Sequence, residues 1–341
     1  MADQSDWLTF IQRQGAIIKN EQVVETPASL EPTDLSIFAL TDSGLIDIAG
    51  PDASKFLQGQ VTCDIEQLSE HSVQLGGQCN PKGRAIFSFL VAKPSPERVR
   101  LRLPAGMMTR AQQSLGKYMV FSKAEFETCD NPVIAIMGQL AKATIERVFG
   151  QCPSQPNSCA QLPSATIICA AEDRFELWLN SDSGQTLWSE LFQDAKFLPS
   201  FIWYNAEINA GIATVQPETS EEFIPQNMNF VEIGAVSFSK GCYTGQEVVA
   251  RMHYLGKQKR HMRLASLATN SVPRPGSDVT SQDGGQTLGK VVNACANNSQ
   301  TCDALVYITD TAYESNDAYI DGVALTFKPL PYPLRSSEQS S

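Results

Sequence analysis

The sequence predicts an α+β chain of three domains, one a ferredoxin-like unit and the last a small β-barrel. Three observations carry this. The length, 341 residues, exceeds what a single core usually serves and leaves room for two or three domains. Between 132 and 195 the apolar runs follow the order strand, helix, strand, strand, helix, which a ferredoxin-like layer uses. Beyond Arg260 short apolar runs alternate with Pro-Gly, Asp-Gly-Gly and Asp-Gly turns, the spacing of a small barrel or sandwich.

Residues 1–34 read as a loosely attached leader, helical around 7–13 and then polar with Pro27 and Pro32. The apolar runs 37–40 and 45–49 flank a Thr-Asp-Ser-Gly turn, a hairpin signal. Gly50-Pro51-Asp52 opens a helix carrying Phe56 and Leu57. Asn80-Pro81-Lys82-Gly83 is a tight turn between strands over 73–79 and 85–92. Val99, Leu101 and Leu103 alternate with Arg98, Arg100 and Arg102, so a half-exposed strand is expected before a helix over 107–118.

In the next domain a strand at 133–137 leads to a helix bearing Leu140, Ala143, Ile145 and Val148. Strands at 165–170 and 175–180 and a helix over 184–194 follow the loop 151–164. Barrel strands are expected at 264–267, 288–292, 304–308 and 323–327. The expected domains are a discontinuous one of 35–117 with 201–255, an inserted one of 118–200, and the barrel, 256–333, with a tail at 334–341.

A net charge of −11 disfavours a protein that grips nucleic acid through phosphates, unless positive charge is concentrated locally. No stretch approaches the ~20 apolar residues of a membrane span, so no membrane partner is expected. The N-terminus lacks a basic stretch followed by an apolar one, so it is no secretory signal. The nine cysteines are odd in number and lack CxxC spacing, which speaks against a disulfide framework or a thiolate metal site. A cytoplasmic protein with free thiols is expected.

The segment most charged with chemistry is Phe238-Ser-Lys-Gly-Cys-Tyr-Thr-Gly-Gln-Glu-Val-Val-Ala-Arg251. Glycines on both sides of Cys242 let the backbone bend and present the thiol on a turn. Glu247 to Arg251 reads as the start of a helix, whose N-terminal dipole favours a thiolate just ahead of it. Lys240 lies two residues before the cysteine. From 251 to 263 there are five cations, Arg251, Lys257, Lys259, Arg260 and Arg263, and no acid. His253 and His261 fall there too. Such a run suits a phosphate or the carboxylates of a folate tail. The plainer readings are a cysteine used as a small buried hydrophobe and a charge run that is a solvated connection. The other eight cysteines and His71 read as structural or incidental.

The run Lys240-Gly-Cys-Tyr-Thr-Gly-Gln-Glu247, ending in Ala250-Arg251, resembles the signature of the YgfZ family of folate-binding proteins. Phe56-Leu-Gln-Gly-Gln-Val-Thr-Cys-Asp64, Asn80-Pro-Lys-Gly-Arg84, Lys117-Tyr-Met-Val-Phe-Ser-Lys123, Phe223-Ile-Pro-Gln226 with Asn229, and Lys259-Arg260 agree with the same family in order. The resemblance covers about 35–333. It implies the three-domain fold of the glycine-cleavage T-protein (GcvT) around a folate-sized hole, and tetrahydrofolate or a folate derivative as cofactor. It implies partners among iron–sulfur client or assembly proteins and, through them, an effect on tRNA modification. Cys242 would be the functional thiol, with Lys240 beside it.

The same resemblance assigns folate contacts to Trp203, Asn209, Gln226, Asn229, Tyr243, Gln246, Glu247 and Arg251, while the cation run itself offers Lys257, Lys259 and Arg260 as anion contacts. An indole at 203 can stack on a pterin, although a core aromatic is the alternative. A second family tryptophan corresponds here to about Gly44, and a T-protein glutamate to Asn209. Asp64 falls near the T-protein's catalytic aspartate, with no aminomethyl transfer assigned to it. No turnover reaction is assignable; a one-carbon transferase and a non-catalytic tRNA-binding module are the alternatives, and direct tRNA contact is not expected.

Overall fold

In the computed structural model, which describes residues 4–127, 129–256 and 258–334, the N-terminal stretch is an integral part of the fold rather than a loose leader. Its helix, Gln4–Arg13, places Trp7 and Ile11 one turn apart on one face. Both are buried, and the Trp7 ring meets Trp188 edge-on at 5.7 Å. The strands Ile17–Lys19 and Gln22–Glu25 form a hairpin whose turn residues Asn20 and Glu21 both have positive φ, as a tight primed turn requires. The charged composition hid this attachment, since only every third or fourth residue faces the core.

The described residues fall into two compact units. One lies within Met1–Phe56, Glu66–Gln74 and Leu90–Trp203. Its main sheet has six strands in the order Cys159–Gln161, Ala165–Ala171, Arg174–Leu179, Val133–Met137, Ser36–Ala39 and Lys196–Phe197. The expected strand, helix, strand, strand, helix order is present, with helices Ala141–Phe149 and Gly184–Phe192. Their apolar faces join one core with Trp7, Ile11 and Trp188. A short edge strand also forms inside what reads as the loop 151–164.

The expected first hairpin does not form. Ser36–Ala39 pairs antiparallel with Val133–Met137, while Ser43–Ala49 pairs with Arg98–Pro104 in another sheet. Every residue of both strands is buried. A run buried on both faces carries no alternation to show which neighbour it will take. As a result residues 36–39 share a sheet with the domain expected over 118–200.

The strand Arg98–Pro104 alternates as its sequence suggests, but its arginines are answered by carboxylates. Arg98 and Arg100 converge on the buried Asp47 at 2.6–2.8 Å. Arg102 makes a two-pronged contact with Glu176, at 2.8 and 2.7 Å. Trp178 donates its indole N–H to the same carboxylate at 2.7 Å.

The second unit lies within Leu57–Ile65, Leu75–Phe89 and Tyr204–Ser341. It ends in the expected barrel, closed by six strands: Arg260–Leu267, Cys302–Thr309, Thr287–Ala296, Asp278–Thr280, Tyr319–Ile320 and Val323–Lys328. A short helix, Asp310–Ser315, interrupts the expected all-strand pattern. Thr309 caps it, its side chain accepting from the Ala312 N–H.

Inside this unit Asp303 is buried and accepts from Lys328 Nζ at 2.6 Å, Asn209 Nδ2 at 2.9 Å and Asn205 Nδ2 at 3.2 Å. Burial alone would push its carboxyl up, but the three donors outweigh burial and hold it below the usual range. A depressed carboxyl stabilises the fold above its unfolded pKa of about 3.9, and that stability is lost as pH falls through the folded value. The Asp303→Asn protein is therefore expected to be less stable than wild type at pH 7, with the gap narrowing below about pH 4. Urea titrations at pH 7 and pH 3 check this; a gap that widens in acid contradicts it.

Candidate functional site

The site is built from three separated segments of the second unit. Thr62 donates its hydroxyl to Ala235 O at 2.7 Å and accepts from the Gly77 N–H at 3.0 Å. Its backbone bonds to Gly77 O and to Ser237 N, at 2.9 Å each. This places residues 61–63 between the strand ending at Cys79 and the chain leading into the cysteine signature. The Lys240 ammonium is buried there and donates to Val61 O at 2.8 Å and Cys63 O at 2.7 Å. It also lies 5.3 Å from the centre of the Tyr243 ring. Lys240, expected to act beside the thiol, instead ties its loop to residues 61–63.

The 80–83 turn supports the same loop. Asn80 Oδ1 accepts from the N–H groups of Lys82 and Arg84, and Arg84 reaches the carbonyls of Glu221 and Glu222. Gly245, at φ +84°, lies so close that an added Cβ would fall 2.4 Å from Asn80 O. An added Cβ at Gly83 would fall 2.8 Å from Val248 Cβ. Both glycines are thus required for the turn and the loop to touch.

Gln246 starts the helix Gln246–Leu255 and accepts from the Tyr243 N–H with its side chain. Gln226 donates to Val249 O at 2.7 Å. Asn229 donates to Met262 O and to the Tyr332 hydroxyl. The Tyr243 ring is buried, with no partner for its hydroxyl, and burial raises its pKa. Burial likewise pushes the Cys63 thiol up to about 12, although Lys240 pulls it down in part. It pushes Cys79 up to about 12 as well. Both thiols are therefore held neutral near pH 7.

Cys242 stands apart from these. Of the nine cysteines, all within the described residues, it alone is exposed. An added Cβ on neighbouring Gly241 would meet nothing within 4 Å. Lys240, Tyr243, Gly245, Gln246 and Gln226 are used to build the loop, which leaves Cys242 as the thiol it exposes. Glu247 and Arg251 are exposed on the following helix, as are Lys259 and Arg260 beyond it. Lys257 lies outside the described residues. Arg263 is answered by Asp310 at 3.3 Å and stacks over the Tyr313 ring at 3.9 Å. His261 Nδ1 also meets Asp310, at 2.7 Å.

The remaining expected folate contacts are placed otherwise. Trp203 is fully buried, with Phe38 at 6.2 Å and the Arg174 guanidinium at 5.8 Å. Its indole N–H has no partner. The Asn209 amide is committed to Asn205 and Asp303. At Gly44 an added Cβ would fall 2.0 Å from Met108 Sδ, so methionine fills the place expected for a second tryptophan. Asp64 accepts from the Gln58 amide. Sequence reasoning missed Tyr332, whose hydroxyl donates to Gly211 O at 2.7 Å. Its only sequence signal is a tyrosine between two prolines near the C-terminus.

A family model described as the GCVT N-terminal domain matches residues 29–199. The tRNA-modifying protein YgfZ of Yersinia pestis (strain Pestoides F) is 31% identical, over 91% of this chain and 96% of its own. The chain belongs to the YgfZ family. The YgfZ protein of Yersinia enterocolitica is 32% identical over 88% of this chain and 93% of its own. The fold matches that of the glycine cleavage system aminomethyltransferase T from Bartonella henselae, with a TM-score of 0.79 over 96% of each chain at 16% identity. The YgfZ-like signature and the GcvT-like fold expected from the sequence are both present. Among the described residues no group of three or more His, Cys, Asp or Glu is placed to hold a metal. No helix among them is long and apolar enough to cross a membrane.

Proposed function

We propose that this chain is a folate-binding accessory protein that supports iron–sulfur cluster assembly or repair, and through it tRNA modification, with Cys242 as its working thiol. The observation that carries the proposal is the contrast among the cysteines. One is exposed, on a loop braced by a buried lysine and two glycines. Two near that loop, Cys63 and Cys79, are buried and held neutral. The names of the YgfZ relatives support the link to tRNA modification. Free cysteines throughout suit a reducing cytoplasm.

The residues fit a folate in part. Trp203 offers a buried N–H without a partner, and such a donor is costly unless something accepts from it. Trp203 would be the folate contact, through that N–H. Asn209 would serve differently, positioning Asn205 and Asp303 rather than touching the pterin. A reduced folate supplies one-carbon and electron-donating chemistry when bound; the chain's own part is to present the Cys242 thiol.

Titrating tetrahydrofolate against tryptophan fluorescence tests the folate half. Saturable quenching is expected in wild type, with affinity at least tenfold weaker in Trp203→Phe, in keeping with ~1.4 kcal/mol for a lost contact. Absence of a saturable change in wild type would remove folate from the proposal.

A further inference from the structure

The helix Gln246–Leu255 turns an apolar stripe to solvent. Its exposed positions are Glu247, Val248, Arg251, Tyr254 and Leu255, a spacing that lines one face of an α-helix. A surface helix normally buries its apolar stripe and exposes its polar one. Here Leu255 is 80% exposed, Tyr254 60% and Val248 37%. Tyr254 is nonetheless held in place. Its ring meets His253 edge-on at 4.8 Å and Phe238 at 5.9 Å, and those two stack at 3.8 Å. An aromatic ring fixed before contact loses little freedom on binding, which favours its use as an anchor.

The stripe carries one acid, Glu247, at its start, and from Arg251 onward the exposed charge is cationic within an anionic protein. Arg251 sits at its middle, and Lys259 and Arg260 are exposed just past the helix. No acid occurs from 251 to 263, in a chain of net charge −11. Gly241 and Cys242 are exposed just ahead of the helix. At 1.5 Å per residue the stripe is about 12 Å long, which suits a short, transient contact.

We infer that this face docks a partner protein through an acidic segment that also carries apolar side chains, and so brings that partner to Cys242. The link to Cys242 rests on the function proposed above; the docking surface does not. Carboxylates would answer Arg251, Lys259 and Arg260, and aliphatic groups would cover Val248 and Leu255. RNA offers phosphates but nothing aliphatic for an 80% exposed leucine, and the overall charge repels it. A two-fold contact centred on Arg251 would set it against its own copy.

The test uses a fluorescein-labelled peptide with Glu and Leu at helical spacing, its Lys-for-Glu counterpart, a tRNA, and sedimentation of the protein alone. The acidic peptide is expected to bind wild type, to weaken with salt, and to slow iodoacetamide alkylation of Cys242. In a Tyr254→Glu, Leu255→Glu double variant, shown folded by its thermal melt, peptide affinity should fall at least tenfold. Arg251→Glu, which leaves the apolar side chains intact, should weaken binding in the same direction. Equal binding of both peptides overturns the inference. So does a tRNA complex, or a self-association, that the double variant abolishes. Cys242→Ala should bind the peptide as wild type does. If it does so while retaining full function, the surface stands and the proposed role of the thiol falls. If it loses function while neither peptide is preferred, the reverse holds.

Discussion

The Lys240→Met protein is expected to lose about 3 kcal/mol of unfolding free energy, since each hydrogen bond to a charged group contributes roughly 1.5–3 kcal/mol. The buried ammonium satisfies Val61 O and Cys63 O, at 2.8 and 2.7 Å. Methionine matches its length but donates nothing, so both carbonyls lose their partner in a region that excludes water. The local effect should exceed the global one. Residues 61–63 and the loop around Cys242 lose their common tie, and amide exchange there should quicken more than in the barrel. Chemical denaturation gives the first quantity and hydrogen exchange the second. A fully stable Lys240→Met protein with an unchanged exchange pattern would show that this lysine is not the brace.

A still larger loss, about 3–5 kcal/mol, is expected for Arg102→Ala, because it strands a buried carboxylate. Glu176 accepts both prongs of Arg102 at 2.8 and 2.7 Å, and also the Trp178 indole at 2.7 Å. Removing the cation leaves one neutral donor for a nearly inaccessible charge. A double variant, Arg102→Met with Glu176→Leu, removes both charges together and should recover much of the loss. Urea unfolding of the two single variants and the double one completes the cycle. A double variant as unstable as Arg102→Ala would contradict the reading, because packing and not charge would then dominate.

What the sequence made legible followed from local pattern. Asn80-Pro81-Lys82-Gly83 is a turn in the structure, the barrel strands fall where turn residues bracket apolar runs, and a helix starts at Gln246, beside the expected Glu247. Cys242, singled out by its glycines and cations, is the exposed cysteine. What stayed hidden depends on long-range pairing. Ser36–Ala39 and Ser43–Ala49 are adjacent and apolar, but they join different sheets. Lys240 looked like part of the chemistry because it lies two residues from the thiol. Its amine reaches instead to carbonyls 177 and 179 residues away in sequence, which no spacing rule could show. Trp203 and Asn209 were assigned by resemblance, and their burial and partners follow from packing alone.

The account stands or falls on the Cys242 thiol. In cells lacking the native protein, the Cys242→Ala variant should fold and accumulate as wild type does, since the side chain is exposed, yet fail to restore the activity of an iron–sulfur enzyme that makes thiolated tRNA. Full restoration by that variant would contradict the account.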